Sequence, residues 1–235
     1  MPSRNSVPPS DQAAVSTGDG CLSIYLLPPL AVVCVGALMM FFALGLTPPP
    51  IPAGIPPVQP AEFQTSGPHL PLSSVFTPEV QYWAGRIQVW AAAAGLDPNL
   101  VATVMQIESC GDPGARSRAG AMGLFQVMPY HFSASDDPYA PDTNALRGLD
   151  YLRRSLETAR GDPRLALAGY NGGIGVIDRS ESGWASQTQR YAFWGSGIYT
   201  EASSGESESL RLQEWLTTSG VSLCRQAHDR LEINP

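Results

Sequence analysis

The chain has 235 residues, of which 22 are proline, with a hydrophobic fraction of 43% and a formal net charge of -7 at pH 7. All 14 basic residues are arginine, which excludes phosphate-loop lysines, Schiff-base chemistry and Ser-Lys nucleophile pairs. The negative charge argues against nucleic acid as a partner, because binding a phosphate backbone requires a basic surface. The composition is uneven along the chain, which predicts one folded domain with appendages.

The amino-terminal third divides into three segments of different composition. Residues 1–21 are polar and without periodicity, which predicts a short disordered tail. Residues 22–46 carry no charge, and a helix of about 20 apolar residues is long enough to cross a bilayer. They predict an uncleaved transmembrane helix, with a cleaved secretory signal as the alternative. Residues 47–77 contain nine prolines and one charge, which predicts an extended Pro-rich linker.

The arginines and cysteines suggest on which side of a membrane the domain lies. Arg4 precedes the predicted span and the next arginine is Arg86, which indicates a cytoplasmic amino terminus and an external domain. Cys110 and Cys224 would then lie where disulfides form and persist. We expect them to be bridged; the alternative is two unconnected small apolar residues.

Helix start and stop signals recur from residue 78 onwards. Thr77 and the proline after it predict a helix start, and apolar residues at helical spacing continue to Gly95. Asp97 and its following proline predict a second helix that ends at Glu108. No alternating strand pattern is present, so the fold class is predicted to be mainly α. Further helices are expected at 142–159, from 162 onwards and at 207–218. The domain is placed at 78–200, and 201–235 is expected to form a helical extension packed on it.

Glu108 is the residue in this pattern most able to carry chemistry. It shares a helix face with Val101 and Met105, so its carboxyl group is expected to point toward packed side chains. Burial and the negative end of the helix dipole both raise the pKa of a carboxyl group, as protonation of a leaving oxygen requires. The alternative is a glutamate turned to the surface at a frayed helix end.

Four sequence blocks, in order, decide between these interpretations. They are IESCGDP at 107–113, SRAGAMGLFQVMP at 117–129, AGYNGG at 168–173 and QTQRY at 187–191. Together they resemble the catalytic core of the soluble lytic transglycosylase family, which is related to goose-type lysozyme. The resemblance implies a lysozyme-like helical domain that cleaves the bond between N-acetylmuramic acid and N-acetylglucosamine in peptidoglycan. It also implies a bacterial cell membrane as the location of the predicted anchor.

The resemblance also implies a mechanism and a set of binding residues. Glu108 would protonate the glycosidic oxygen and then accept the proton of the muramic acid 6-hydroxyl, which attacks C1 and leaves a 1,6-anhydro end. Hydroxyl, amide and apolar side chains suited to a sugar are expected around it. By position in the blocks, the expected binding residues are Ser117, Gln126, Met128, Tyr170, Asn171, Gln187 and Tyr191.

Departures from the family pattern leave alternatives open. Gln187 stands where the family usually has glutamate, which removes a charge that could hold Tyr170 or influence Glu108. One alternative function is a hydrolase like goose-type lysozyme, for which a second carboxylate is needed. Another is an inactive peptidoglycan-binding scaffold. The histidines lack ligand-like clustering, so neither a metal nor another cofactor is expected. The sequence does not identify a protein partner. The candidates for a second carboxylate are Asp112, Asp136, Asp137 and Asp142.

Overall fold

The computed structural model describes residues 72–233. The predicted tail at 1–21, the predicted membrane span at 22–46 and most of the linker at 47–77 lie outside the described residues. Between residues 72 and 233, no helix is long and apolar enough to cross a membrane. The same range contains no β-strand and only isolated bridges, so the mainly helical prediction is confirmed for it.

Eight α-helices make up the described part of the chain, with short 3-10 helices between some of them. The helices are α1 (Pro78–Gln81), α2 (Ala84–Ala94), α3 (Pro98–Glu108), α4 (Pro141–Thr158), α5 (Pro163–Gly172), α6 (Ser186–Ser203), α7 (Leu210–Trp215) and α8 (Val221–Leu231). The 3-10 helices are Pro129–His131, Ile174–Val176 and Glu181–Gly183, and a π-helical turn at Leu216–Gly220 joins α7 to α8.

The first two helices correct one prediction. A single helix was expected from Thr77 to Gly95, but the chain leaves the helical conformation at Trp83, where φ is -93° and ψ is 3°. The break fits the tertiary contacts of this residue, because the Trp83 indole nitrogen donates a hydrogen bond to the Gly111 carbonyl at 2.9 Å. The Thr77 side chain makes no capping hydrogen bond. Gly95 ends α2 as predicted, and its backbone has the left-handed conformation.

Helix α3 lies at the centre of the domain. Asp97 caps it by accepting a hydrogen bond from the Asn99 amide at 2.7 Å, and Pro98 occupies the first turn. Every residue from Pro98 to Gln106 is buried, and α3 packs against α2 and α6. Because the helix is enclosed, its last residue, Glu108, is held in a fixed position by the core.

Helix α5 packs against both α4 and α6. Asp162 caps α5 by accepting hydrogen bonds from the amides of Arg164 and Leu165, as its sequence signal predicted.

The predicted helix at 207–218 begins instead at Leu210, and the helical path continues through the π-turn to Leu231. Trp215 fits against Gly220 in that turn, where an added Cβ would lie 2.4 Å from the indole ring.

Candidate active site

Glu108 is the last residue of α3, and the chain turns sharply after it. Cys110 and Gly111 have positive φ angles of 50° and 85°, so the helix cannot continue. The Ser109 hydroxyl donates a hydrogen bond to the Leu124 carbonyl at 2.7 Å. This bond fixes the end of α3 to the loop that carries Gln126 and Met128, and so places Glu108 beside that loop.

The environment of Glu108 favours its protonated form. The residue is only partly exposed, and burial raises the pKa of its carboxyl group from the ordinary value of 4.5 to about 7. The Tyr191 hydroxyl acts in the opposite direction, as a hydrogen-bonding group facing the carboxylate. That hydroxyl is buried, and its contact falls short of ordinary hydrogen-bond geometry. Burial is therefore the dominant cause, and near neutral pH Glu108 can both donate and accept a proton.

Two tyrosines border this carboxyl group. Burial and the charge of Glu108 raise the pKa of both Tyr170 and Tyr191 well above their ordinary value, so both phenols stay neutral. The Tyr170 hydroxyl donates to the Phe125 carbonyl at 2.7 Å, which holds the ring in place. Neutral phenol groups can orient a ligand beside Glu108 without competing for its proton.

A cavity of about 260 Å³ lies next to Tyr170 and contains four of the predicted binding residues. Glu108 itself is not part of the cavity wall, but Tyr170 both lines the cavity and lies close enough to Glu108 for the charge of Glu108 to raise its pKa. The predicted residues in the wall are Gln126, Met128, Tyr170 and Asn171. Side chains that were not predicted also line the cavity: Val127, Tyr130, His131 and Tyr151, with backbone from Gly148, Gly172 and Gly173.

Two amide side chains in this wall are held by protein hydrogen bonds. Gln126 has a positive φ of 46°, and its amide nitrogen donates to the carbonyls of Ala115 and Gly123 at 3.2 and 3.0 Å. The Asn171 amide oxygen accepts from the Thr188 hydroxyl at 3.1 Å, which ties the end of α5 to α6. These bonds fix the orientation of both amide groups at the cavity wall.

Three predicted binding residues lie outside the cavity wall: Tyr191, which borders Glu108, and Ser117 and Gln187. The Ser117 hydroxyl accepts a hydrogen bond from the Ala121 amide at 2.9 Å and so stabilises its own loop. Gln187 is exposed in the first turn of α6, while its neighbour Thr188 is buried. Because Tyr170 is fixed by Phe125, the structure gives Gln187 no part in holding it. A role for Ser117 or Gln187 in binding sugar stays a prediction.

The candidate second carboxylates all have protein partners. Asp112 is fully buried and accepts from Gln226 at 2.6 Å and from Arg230 at 2.6 Å. Asp136 pairs with Arg147, whose hydrogen bond is the main cause that holds the pKa of Asp136 well below its usual range. The pKa of Glu108 is shifted by burial and by the Tyr191 hydroxyl, and no second carboxylate contributes to the shift. The other two are also engaged: Asp137 accepts from the Tyr139 amide, and Asp142 from Trp90 and Arg86.

Helix α8 is joined to the loop that follows Glu108 by a disulfide and an ion pair. The predicted disulfide between Cys110 and Cys224 is present, with the two Cα atoms 4.9 Å apart. Arg230 of α8 also forms an ion pair with Asp112 of the loop, and His228 of α8 lies 3.1 Å from Glu79 of α1. Glu79 lies near both sulfur atoms, but those atoms are bonded to each other, so the group is not available as a set of metal ligands.

Comparison of the sequence with known proteins identifies the family of the segment that contains this site. A family model described as "Transglycosylase SLT domain" matches residues 85–193. A protein named "Transglycosylase" from Enterobacteria phage PRD1 is 38% identical over 116 residues, which make up 46% of this chain and 42% of that protein. The match therefore spans less than half of the phage protein. The family match covers α2 to the middle of α6 and includes Glu108 and the cavity, and residues 85–193 thus form a transglycosylase SLT domain of the lysozyme-like type.

Proposed function

We propose that this protein is a peptidoglycan lytic transglycosylase in which Glu108 acts first as general acid and then as general base. The observation that carries the proposal is the partly exposed Glu108 carboxyl group at the end of a buried helix, with its pKa raised to about 7. A general acid and base works best when its pKa lies near the operating pH. The SLT domain and the phage transglycosylase support the same class of reaction.

The proposed reaction consumes no water. Protonated Glu108 gives its proton to the glycosidic oxygen as the bond from that oxygen to C1 of N-acetylmuramic acid breaks. The 6-hydroxyl oxygen of the same sugar forms a new bond to C1, and its proton passes to the Glu108 carboxylate. The products are an N-acetylglucosamine end and a 1,6-anhydro end, and Glu108 returns to its protonated state. Tyr170 and Tyr191, both neutral, keep the reacting sugar beside the carboxyl group.

The surroundings of Glu108 support an internal nucleophile over hydrolysis. A retaining hydrolase needs a second carboxylate close to the first, and an inverting hydrolase needs one that activates water. The four aspartates considered for that role are engaged elsewhere within residues 72–233. An attacking hydroxyl supplied by the substrate removes the need for such a group.

We also propose that the enzyme works at the outer face of a bacterial cell membrane. Residues 22–46 would serve as a single-pass anchor and residues 47–77 as the linker that lets the domain reach the cell wall. The disulfide between Cys110 and Cys224 supports an oxidising location for the domain. Fractionation of the native cells and protease accessibility of the domain would test this placement.

The proposed role of Glu108 is tested by the substitution Glu108→Gln in the full-length protein. Glutamine keeps the size and the hydrogen-bonding capacity of the side chain but cannot donate a proton as an acid. We expect release of soluble fragments from purified peptidoglycan to fall by at least 100-fold, while binding to the same material persists. Glu157→Gln, on the exposed side of α4, is the matched control and should cleave at the wild-type rate. Substantial cleavage by Glu108→Gln would contradict the proposal.

A further inference from the structure

A buried group of metal-binding side chains lies where α1, the loop after Glu108 and α8 meet, outside the wall of the cavity. A carboxylate oxygen of Glu79 and the sulfur atoms of Cys110 and Cys224 lie within 4.8 Å of one another, and all three residues are buried. The Nδ1 atom of His228 lies 3.1 Å from Oε1 of Glu79. One oxygen, one nitrogen and two sulfur atoms therefore converge, and all are donor atoms that zinc uses in proteins.

The two members of this group on α8 are spaced as a pair of metal ligands on a helix. Cys224 and His228 are four residues apart, so their side chains lie on one face of α8, one turn from each other. That face is turned toward the other members, since Cys224 is bonded to Cys110 and His228 contacts Glu79. The His228 side chain is 41% exposed, which gives an ion a path from solvent to the buried sulfur atoms.

A buried amide donates hydrogen bonds to both sulfur atoms. Gln106 of α3 is fully buried, and its Nε2 donates to Sγ of Cys110 at 3.0 Å and to Sγ of Cys224 at 3.5 Å. Its Oε1 accepts from the Thr77 amide at 3.2 Å, which fixes the orientation of the group. Sulfur is a weak acceptor when neutral, whereas a thiolate accepts strongly because it is charged. The position of Gln106 therefore favours a state in which the sulfur atoms carry negative charge, as they do when they bind a metal.

We propose that this group binds a zinc ion when the disulfide is reduced. The ligands are the two cysteine thiolates, the Glu79 carboxylate and the His228 imidazole. Zinc takes four such donors in tetrahedral geometry, and thiolate ligands favour it over magnesium or calcium. The donor atoms of a tetrahedral zinc site lie about 3.3 to 3.8 Å apart, for bonds of about 2.0 to 2.3 Å, so the Glu79 carboxylate has to move by no more than about 1 Å.

Reduction of the disulfide and binding of zinc are two separate steps. A dithiol passes two electrons and two protons to the sulfur atoms of Cys110 and Cys224, the S–S bond breaks, and the dithiol becomes a disulfide. Zinc then displaces both thiol protons into solvent and binds the two thiolates. The ion thus joins α1, the loop and α8 under reducing conditions, in which the disulfide does not persist. None of the four ligands takes part in the proposed cleavage reaction, so the inference stands apart from it.

The test compares the two redox forms of the full-length protein. The parent for this test carries Cys21→Ser and Cys34→Ser, so that Cys110 and Cys224 are the remaining cysteines. One sample is reduced in urea with a water-soluble phosphine, which becomes the phosphine oxide, and is returned to buffer without air. The other passes through the same urea step with its disulfide intact, and a thiol count verifies both states. Each is titrated with Zn²⁺ against a chromogenic chelator, and with Co²⁺, whose absorption spectrum reports thiolate ligands and tetrahedral geometry.

The reduced form should bind one zinc ion per chain at least about 100-fold more tightly than the oxidised form. Co²⁺ should give a thiolate charge-transfer band with the reduced form alone. Zinc at about 100 times its dissociation constant should raise the midpoint of thermal unfolding of the reduced form by about 5 to 10 °C and leave that of the oxidised form unchanged. If the reduced chain is unfolded without metal, zinc should restore its helical circular dichroism. Absence of zinc binding by the reduced form, or equal binding by the two forms, would overturn the proposal.

Substitutions in the same parent identify the ligands. Glu79→Gln and His228→Ala should each weaken zinc binding by the reduced form at least about 10-fold, because loss of a ligand costs no less than loss of a group that supports one. Asp229→Asn is the matched control, since Asp229 follows His228 on α8 but is exposed, and it should bind zinc as the parent does. Thermal unfolding of the oxidised Glu79→Gln, His228→Ala and Asp229→Asn proteins verifies that they fold. Zinc binding that persists in Cys224→Ser, or equal affinities of His228→Ala and Asp229→Asn, would overturn the site.

Discussion

The raised pKa of Glu108 predicts that this residue destabilises the folded protein at neutral and higher pH. An unfolded chain releases the Glu108 proton near pH 4.5, whereas the folded protein retains it until about pH 7. Between these values the unfolded state binds fewer protons, so the free energy of unfolding falls as pH rises. Outside this interval the contribution is constant. Glu108→Gln lacks the titration and should be the more stable protein at high pH.

The size of the effect follows from the same two pKa values. The change from 4.5 to about 7 corresponds to about 3 kcal/mol, and water that reaches the exposed part of the side chain reduces this to about 2 to 3 kcal/mol. We would measure urea unfolding of the wild type and Glu108→Gln by tryptophan fluorescence at pH 4 and pH 8, with Glu157→Gln as control. The stability of Glu108→Gln relative to the wild type should increase by that amount between the two pH values. A relative stability that stays constant within about 0.5 kcal/mol would refute a buried, proton-retaining Glu108.

Three further predictions concern neighbours of the site. Because Tyr191 lowers the pKa of Glu108, Tyr191→Phe should move the alkaline limb of the pH–activity profile to higher pH; an unmoved or lowered limb would contradict the contact. Cys224→Ser should lower the free energy of unfolding by about 3 to 5 kcal/mol, because the lost disulfide links residues separated by 114 positions, as denaturation with and without reductant would show. Gly148→Ala should cost about 1 to 3 kcal/mol in stability and reduce activity, because its Cβ would lie 2.6 Å from the Phe125 side chain and 3.2 Å from the Tyr170 hydroxyl. Gly85→Ala, with open space at its Cβ, should be neutral or stabilising.

The parts of the fold that local signals encode could be predicted from the sequence. Asp97 and Asp162, each followed by proline, marked two helix starts correctly, and the left-handed Gly95 marked a helix end. The sequence could not reveal the break at Trp83, because it accompanies a hydrogen bond to Gly111, which is distant along the chain. The extension of the last helix to Leu231 was missed for a similar reason, since its π-turn forms around the packed Trp215 ring.

The candidate site shows the same division between local and long-range information. The order of the motifs predicted that Gln126, Met128, Tyr170 and Asn171 share one site, and all four line the cavity. The motifs could not predict how α6 is rotated about its axis, and in the structure Thr188 is buried while Gln187 is exposed. The cavity residues Tyr130, His131 and Tyr151 were missed because the first two are distant in sequence from Tyr151 and Tyr170. One available signal was the spacing of Asn144, Gly148 and Tyr151, which places them on one face of α4. Tyr130 and His131 carried no periodic signal and required the tertiary structure.

The most direct test of the central claim is the identity of the ends that the full-length protein leaves on peptidoglycan. Digestion in water enriched in ¹⁸O, followed by mass spectrometry of the released fragments, separates transglycosylation from hydrolysis in one measurement. We predict 1,6-anhydro-N-acetylmuramic acid ends without solvent oxygen, formed by the wild type and not by Glu108→Gln. Reducing N-acetylmuramic acid ends that carry ¹⁸O would contradict the internal nucleophile and identify the protein as a hydrolase.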